Sequence, residues 1–198
     1  MMSLKTKILI FILFVSVSLF AQSRTNLEMI NMLVDSSASS ISSQITDSNI
    51  EYNLEYQTIA EYSALNNRIE NSLVRNAIKV SLDNSKNKIS YSISQASVTY
   101  SDLFKDGIVG GYLLERKFIL QGEYTIKNLS SVLNANTFYY TALDTIPYEN
   151  INFVENNSLP FTKGAVPSEP FFPSMLEPIV AITAVVITVV LFFTVRSN

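Results

Sequence analysis

The sequence contains no cysteine and no histidine in its 198 residues. Without cysteine, the chain forms no disulfide bond and offers no thiol for lipid attachment. Without either residue type, it lacks the side chains that dominate zinc and copper sites and general-base chemistry near neutral pH. The composition therefore predicts no cofactor, no such metal site and no intrinsic catalysis. Chemistry based on carboxylates, on serine with lysine, or on tyrosine is the alternative.

Positively charged residues are outnumbered, with 14 Lys and Arg against 17 Asp and Glu. Two of the lysines, Lys5 and Lys7, lie in an N-terminal segment that we expect to be removed, which leaves a formal charge of −5. A surface of this sign does not attract a polyanion. We therefore expect no nucleic-acid partner.

The first 21 residues have the pattern of a secretory signal peptide. Two lysines precede an apolar run over residues 8–20, and the small residue Ala21 follows. The run is too short to cross a membrane comfortably. We predict cleavage between Ala21 and Gln22, with an uncleaved anchor as the alternative. The ending LFAQ resembles signal peptides of the Bacteroidota.

A second apolar run, Pro178–Val195, holds 18 residues without a charge and is followed by Arg196. At 1.5 Å per residue, a helix of this length crosses most of a hydrocarbon core. We predict a transmembrane helix over residues 174–195 and a cytoplasmic tail of residues 196–198. Together with a cleaved signal peptide, this helix predicts a single-pass protein of the bacterial inner membrane whose bulk is periplasmic.

Three small residues of this run, Ala181, Ala184 and Thr188, lie within about 60° of one another on a helical wheel of 100° per residue. Small residues on one face let two membrane helices approach closely. The three residues are therefore a candidate helix-packing face. The alternative is chance, because alanine and threonine are common in apolar spans.

Between the two apolar runs, the periodicity of apolar residues changes along the chain. Steps of three and four from Leu27 to Ile45 predict an amphipathic helix, and alternation over residues 50–57 predicts a half-buried strand. A second helix is predicted over residues 62–77. Alternation from Ile89 to Tyr100 then predicts a strand whose phase changes near Gln95, which indicates a β-bulge.

Further strands are predicted around residues 118–126 and 138–141. The predicted fold is α+β, with two helices packed on a mostly antiparallel sheet, plus the C-terminal transmembrane helix. The periplasmic domain is predicted to cover residues 22–154.

The helix–strand–helix order and the later segment FILQGEYTI, residues 118–126, resemble small bacterial envelope domains of the curli-channel and penicillin-binding-protein-activator type. The resemblance rests on pattern and involves no diagnostic motif. It implies work in envelope assembly through protein contacts, and it brings no catalytic residues to this sequence.

Residues 155–173 hold four of the six prolines and predict an extended stalk. Within them, the segment LPFT at residues 159–162 resembles the start of a sortase signal, Leu-Pro-x-Thr-Gly, with Lys163 in place of the glycine. The alternative to a plain stalk is therefore a surface protein that is processed at a C-terminal sorting signal.

Two pairs of carboxylates, Asp102 with Asp106 and Glu51 with Glu55, are the residues from which a carboxylate-based enzyme or a site for a hard cation could be built. Their spacing is unspecific. Glu51 and Glu55 fall on the polar face of a predicted strand, and Asp106 precedes a glycine in an ordinary turn sequence. We therefore expect solvent-facing roles for both pairs.

Aromatic residues occupy many strand positions and are expected to face the core. Tyr139 and Tyr148 are predicted to be exposed instead and to act as contact anchors, because aromatic side chains are favoured at interfaces. The function predicted from the sequence is a membrane-anchored periplasmic scaffold or accessory subunit of a bacterial envelope assembly. It acts by protein–protein contacts, either with an envelope protein or with a second copy of itself.

Overall fold

The computed structural model of the chain describes residues 23–47, 49–81, 86–107, 111–129, 131–168 and 173–195, the last range with side chains at 179–194. The predicted signal peptide, its cleavage position between Ala21 and Gln22, and the predicted tail of residues 196–198 lie outside the described residues. The helices and strands are, in chain order, α1 (Asn26–Ser43), β1 (Glu51–Tyr56), α2 (Asn66–Arg75), β2 (Lys79–Val80), β3 (Lys88–Lys105), β4 (Tyr112–Asn128), β5 (Ser131–Pro147), α3 (Ile151–Val154) and α4 (Pro173–Val195). Short 3-10 helices cover Ala60–Leu65, Tyr148–Asn150 and Pro160–Thr162.

Helix α1 begins with a capping box formed by Thr25 and Glu28. The Glu28 N–H donates to Thr25 Oγ1 over 3.2 Å, and the Thr25 N–H donates to Glu28 Oε2 over 2.7 Å, which satisfies two of the free donors of the first turn. The predicted apolar stripe is buried, with Ile30, Val34, Ala38 and Ile41 inaccessible to solvent. The amphipathic helix predicted from the stripe is confirmed, with its C-terminus at Ser43.

The second predicted helix is divided into a 3-10 turn over Ala60–Leu65 and the α-helix α2. Of the five apolar residues predicted to face inward, Tyr62, Leu65, Ile69 and Leu73 are buried. The fifth, Ala77, lies beyond the end of α2 and is exposed, so the prediction is wrong there. On the side facing α1, Arg68 and Arg75 both pair with Asp35. Because this cluster is a third or more exposed, we assign it a minor part in stability.

The sheet is mixed, whereas a mostly antiparallel one was predicted. Its strand order is β2-β1-β3-β4-β5, and β1 runs parallel to both β2 and β3. The cause is the connection through α2, because a helical crossover returns the chain to the same end of the sheet. With only two residues, β2 is too short to give a periodic signal in the sequence. The five strands curl into a half-barrel, against which α1 packs over β4 and β5.

Strands β3, β4 and β5 form two long antiparallel pairs. The register of β3 shifts between Ile93 and Gln95, so the bulge predicted near Gln95 is confirmed. At this shift Gly122 of β4 lies so close to β3 that a Cβ atom would fall 2.0 Å from the Ser92 carbonyl oxygen. The same atom would fall 2.6 Å from Cζ of Phe138, the register partner of Gly122 on β5. Glycine is therefore required where the phenylalanine ring covers the strand.

Residues 155–164, predicted as the first part of a stalk, contact the folded domain. The Phe161 side chain is 3% exposed, and its ring lies edge-on to Tyr62 with the centroids 5.8 Å apart. Thr162 is fully buried, and its Oγ1 accepts a hydrogen bond from the Asn156 N–H over 3.0 Å. The segment that resembles a sortase signal is thus buried at two of its four residues.

Helix α4 has a helical backbone from Pro173 to Val195, and its described side chains, at residues 179–194, are exposed. Among the residues that the structure describes, no helix is long and apolar enough to cross a membrane. This finding overturns the transmembrane helix predicted over residues 174–195, and the single-pass topology that followed from it is not supported.

Candidate interaction surface

The two edges of the sheet differ greatly in length. The β2 edge has two residues, whereas the β5 edge has 17. β5 pairs with β4 in unbroken antiparallel register from Leu113↔Pro147 to Ile126↔Asn134, and the described residues place no strand on its other side. In an edge strand, alternate residues direct their backbone N–H and C=O groups away from the sheet. We call this unpaired side of β5 the free edge.

The free edge lacks the features that commonly protect such strands from pairing. Residues 131–143 include no charged side chain and no proline. In the described ladder with β4, the register shifts only between Ile126 and Lys127, beside the hairpin turn. Asp144 is the one charged residue of β5, and its carboxylate is bound to Arg116. From Asn134 to Leu143 the strand is therefore regular, uncharged and open on one side.

Alternate side chains of β5 lie on opposite faces of the sheet. Phe138 and Ile146 are buried against the core, whereas Tyr139 and Leu143 on the other face are 59% and 61% exposed. We call the face that carries Tyr139 and Leu143 the outer face. Between them lies Thr141, whose side chain is also exposed.

The outer face is mostly polar away from β5. Thr141 pairs with Ile119 of β4, which in turn pairs with Ser97 of β3. The neighbours of Tyr139 and Leu143 on β4 are Gln121 and Lys117. Around Thr141 the large exposed apolar groups of the outer face therefore lie along the free edge, with a half-buried isoleucine behind them. Another exposed apolar side chain of this face, Phe104 of β3, lies opposite Leu113 and away from the free edge.

The two predicted contact anchors have different environments. Tyr139 is exposed on the outer face, as predicted. Tyr148 is partly buried in the 3-10 helix that follows β5, and its hydroxyl donates to the Pro167 carbonyl oxygen over 3.4 Å. Tyr139 is therefore the predicted anchor that the structure makes available to a partner.

An ion pair with a buried guanidinium and a partly buried carboxylate lies on the core face of β5. The Arg116 side chain is inaccessible to solvent; its Nε donates to Asp144 Oδ1 over 2.8 Å and its Nη2 to Asp144 Oδ2 over 2.5 Å. Nη1 donates to the Arg24 carbonyl oxygen over 3.0 Å and to Asn26 Oδ1 over 2.6 Å. The guanidinium carbon lies 5.2 Å from the centroid of the Phe118 ring. All three guanidinium nitrogens thus have acceptors, as burial of a charge requires.

Asn26 extends this network to the C-terminal part of the domain. Its Nδ2 donates to the Tyr100 hydroxyl over 2.8 Å and to the Thr162 carbonyl oxygen over 2.7 Å. The Tyr100 hydroxyl donates to Glu155 Oε1 over 3.0 Å, and the Gly164 N–H donates to the same oxygen over 3.1 Å. Burial raises the pKa of Tyr100 to about 12. The network joins α1, β3, β4 and β5 to residues 155–164 and fixes the strand behind the free edge.

The predicted carboxylate pairs do not form a reaction centre. Asp102 is exposed in β3 with a φ of 49°, and Asp106 is exposed beyond the end of the strand. Glu55 pairs with Lys88, and the hydrogen bond from Lys88 is the main cause that lowers its pKa. Over the described residues, no group of three or more Asp, Glu, His or Cys side chains is arranged to hold a metal ion.

A cavity of about 340 Å³ opens beyond the end of β5. Its polar lining consists of the Asp106 and Glu149 carboxylates and the Tyr112 and Tyr148 phenols. The Tyr112 hydroxyl is buried without a hydrogen-bond partner among the described residues. No serine, threonine, lysine or arginine belongs to the lining that the structure describes.

The predicted helix-packing face lies on α4. Ala181, Ala184 and Thr188 are exposed there. The Thr188 hydroxyl donates to the Ala184 carbonyl oxygen over 2.8 Å, so it is bound within its own helix. The role of this face as a contact between helices stays a prediction.

Sequence reasoning missed the ion pair behind the free edge, although a signal was present. Arg116 has the same phase as Leu114, Phe118 and Leu120, the inward residues of β4. A charge at a core position requires a buried partner of opposite sign. Asp144 occupies the equivalent phase of β5, two residues before the buried Ile146. The pairing depended on recognising β5 over its whole length.

No protein-family model and no curated protein matches the sequence. Among solved structures, the chain is similar to a minor lipoprotein from Acinetobacter baumannii, with 14% identity and a TM-score of 0.33 over 50% of this chain and 69% of that one. It is also similar to the rare lipoprotein B from Shewanella oneidensis, with 14% identity and a TM-score of 0.31 over 65% of this chain and 81% of that one. Scores of this size do not indicate a shared fold.

Proposed function

We propose that this chain is a non-catalytic scaffold or accessory subunit of a bacterial envelope assembly, and that it binds a protein partner by adding a strand at the free edge of β5. The observation that carries the proposal is the edge itself, which is long, regular, uncharged and bordered by exposed apolar side chains. The signal-peptide pattern of residues 1–21 supports a place outside the cytoplasm.

Strand addition supplies both affinity and selectivity at such an edge. Each backbone hydrogen bond contributes about 0.5–1.5 kcal/mol net. From Asn134 to Leu143, every second residue directs its backbone N–H and C=O groups away from β4, and each of these residues can form one or two hydrogen bonds with an added strand. The exposed side chains of Tyr139 and Leu143 then select what lies opposite, because cross-strand aromatic and aliphatic pairs are stabilising. The Arg116–Asp144 pair holds the strand in place before a partner arrives.

A charge variant tests the proposal, because lysine on an edge strand is a known obstacle to pairing. In the full chain, Tyr139→Lys with Leu143→Lys adds two positive charges along the free edge. The matched control, Thr99→Lys with Gln121→Lys, adds the same two charges to the same face on β3 and β4. We expect the edge variant to reduce the size of the native complex in envelope extracts and the control to preserve it.

The unfolding free energy of both variants is expected to stay within about 0.5 kcal/mol of the parent chain, because all four positions are exposed. A native complex of unchanged size in a folded edge variant would show that the free edge is not the binding surface.

A further inference from the structure

We infer that the strand accepted by the free edge is β5 of a second copy of this chain, paired antiparallel about a twofold axis at Thr141. The inference rests on the proposed function, since it uses the same surface, and it names the partner. A twofold axis makes the contact isologous, so that one strand supplies both sides and the assembly closes as a dimer.

The distribution of charge favours a second copy. Residues 22–198 carry 12 basic and 17 acidic side chains, so two copies repel each other over most approaches. Residues 131–143 carry no charge at all. The free edge is thus the one long strand edge of the described sheet along which two copies meet without opposing like charges. The free edge also has no charge that would attract a peptide of opposite charge from another protein.

The register follows from the exposed side chains of the outer face. With the axis at Thr141, each Tyr139 lies opposite Leu143 of the second copy, and the two Thr141 side chains face each other. An aromatic residue opposite an aliphatic one is a stabilising cross-strand pair, and the symmetry forms it twice. Behind the central threonines, Ile119 of each copy lies in the same row. This register gathers the apolar groups of both copies at the centre of the contact.

The same register separates the nearest charges. Glu123 of β4 lies beside Thr137, which the axis places opposite Thr145 of the second copy, and Glu115 lies beside Thr145. The two carboxylate-bearing strands, β4 of each copy, are three strand spacings apart, about 14 Å. At that distance exposed charges are largely screened at physiological ionic strength.

Single cysteines test the inference directly, because the chain has none of its own. Thr141→Cys in the full chain places two thiols directly opposite each other, within the Cα separation that a disulfide bridges. Tyr139→Cys alone leaves its two thiols about 14 Å apart along the strands, as does Leu143→Cys alone. The double variant Tyr139→Cys with Leu143→Cys restores opposed thiols at two positions. Thr99→Cys on β3 is the control, because five strand spacings across the sheet and four residues along the strands place its thiols about 28 Å apart.

Under mild oxidation, and with a short bis-maleimide reagent, we expect Thr141→Cys and the double variant to shift to twice the chain mass. The two single variants and Thr99→Cys should remain at the mass of one chain. If the yield of cross-linked dimer were highest for Tyr139→Cys or Leu143→Cys alone, the proposed register would be wrong. If Thr141→Cys and the double variant cross-linked no better than Thr99→Cys, the proposed dimer would be wrong. In that last case, loss of the native complex in the edge-lysine variant would still support binding of a different protein at the free edge.

Discussion

Arg116 and Asp144 are direct register partners on β4 and β5, and they form a two-point ion pair whose guanidinium is fully buried. The pair lies on the core-directed face of β5, and the unpaired side of this same strand is the free edge. It therefore links the packing of the domain to the rigidity of the proposed binding surface, because any rotation of β5 would separate the two charged groups.

Removal of the carboxylate tests this link. Asp144→Leu leaves the Arg116 charge buried without its partner, and we expect the unfolding free energy of the full chain to fall by about 3–5 kcal/mol. In the matched double variant, Arg116→Met with Asp144→Leu, part of this loss should be recovered, because no unpaired charge stays buried. The rest should remain, because the Arg24 carbonyl oxygen and Asn26 Oδ1 lose the donor that Arg116 supplied. Urea unfolding measures both. A loss below about 1 kcal/mol in the single variant would contradict the structural role of the pair.

Gly122 is expected to tolerate no side chain. Its added Cβ would meet a backbone oxygen of β3 and the ring of Phe138, so we expect Gly122→Ala to destabilise the chain by about 1–3 kcal/mol through overpacking. Gly111→Ala is the control, because among the described residues no atom beyond its chain neighbours lies within 4 Å of the Cβ position there. Equal unfolding free energies for the two variants would refute the close contact at the bulge.

Phe161 tests whether residues 155–164 belong to the folded domain. Phe161→Ala empties a buried position beside Tyr62 and should lower the unfolding free energy by about 3–5 kcal/mol. Phe153 is 81% exposed, so Phe153→Ala removes the same ring with little expected effect. If both variants unfold at the urea concentration of the parent chain, residues 155–164 are a stalk after all.

Because the pKa of Tyr100 is raised, we expect the unfolding free energy of the protein to fall at alkaline pH. The pKa of this side chain is 10.0 in an unfolded chain and about 12 in the folded protein, because burial disfavours the phenolate. The contribution of a group whose folded pKa is raised is fully present below pH 10 and is lost as the pH rises toward 12. Tyr100→Phe should therefore lose stability less steeply across this interval. Parallel curves of unfolding free energy against pH for the two chains would contradict the assignment.

Periodicity in the sequence was sufficient for helix α1 and for the phase of the strands β3 and β4. The stripe from Ile30 to Ile41 could be predicted because burial repeats there with one helical period, and the bulge at Gln95 because the period-two alternation changes phase there. The length of β5 could not, since Asn134, Asn136 and Thr137 look like turn residues when their strand partners are unknown. Backbone hydrogen bonds between β4 and β5 hold these residues in a strand, and their side chains give no pattern from which the strand could be predicted.

Prolines in residues 155–173 suggested an extended segment, yet Phe161 is held in the core by contacts with residues far away in the sequence. The free edge could not be predicted from the sequence for a related reason. Which strand lies at the border of a sheet depends on the strand order, and the parallel placement of β1 beside β3 left β5 with one neighbour. The exposure of Tyr139 was predicted, but the strand edge that gives it a role was not.

The central claim is that the free edge of β5 is where this chain meets its partner. The most direct measurement replaces Tyr139 or Leu143 by a photo-crosslinking amino acid in living cells, with Val74, 53% exposed on α2, as the control position. We predict discrete adducts from both β5 positions and none from Val74. An adduct of twice the chain mass would identify the second copy, and another mass would identify a different protein at the same edge. If Tyr139 and Leu143 give no adduct, or only what Val74 gives, the free edge is not an interaction surface in the cell.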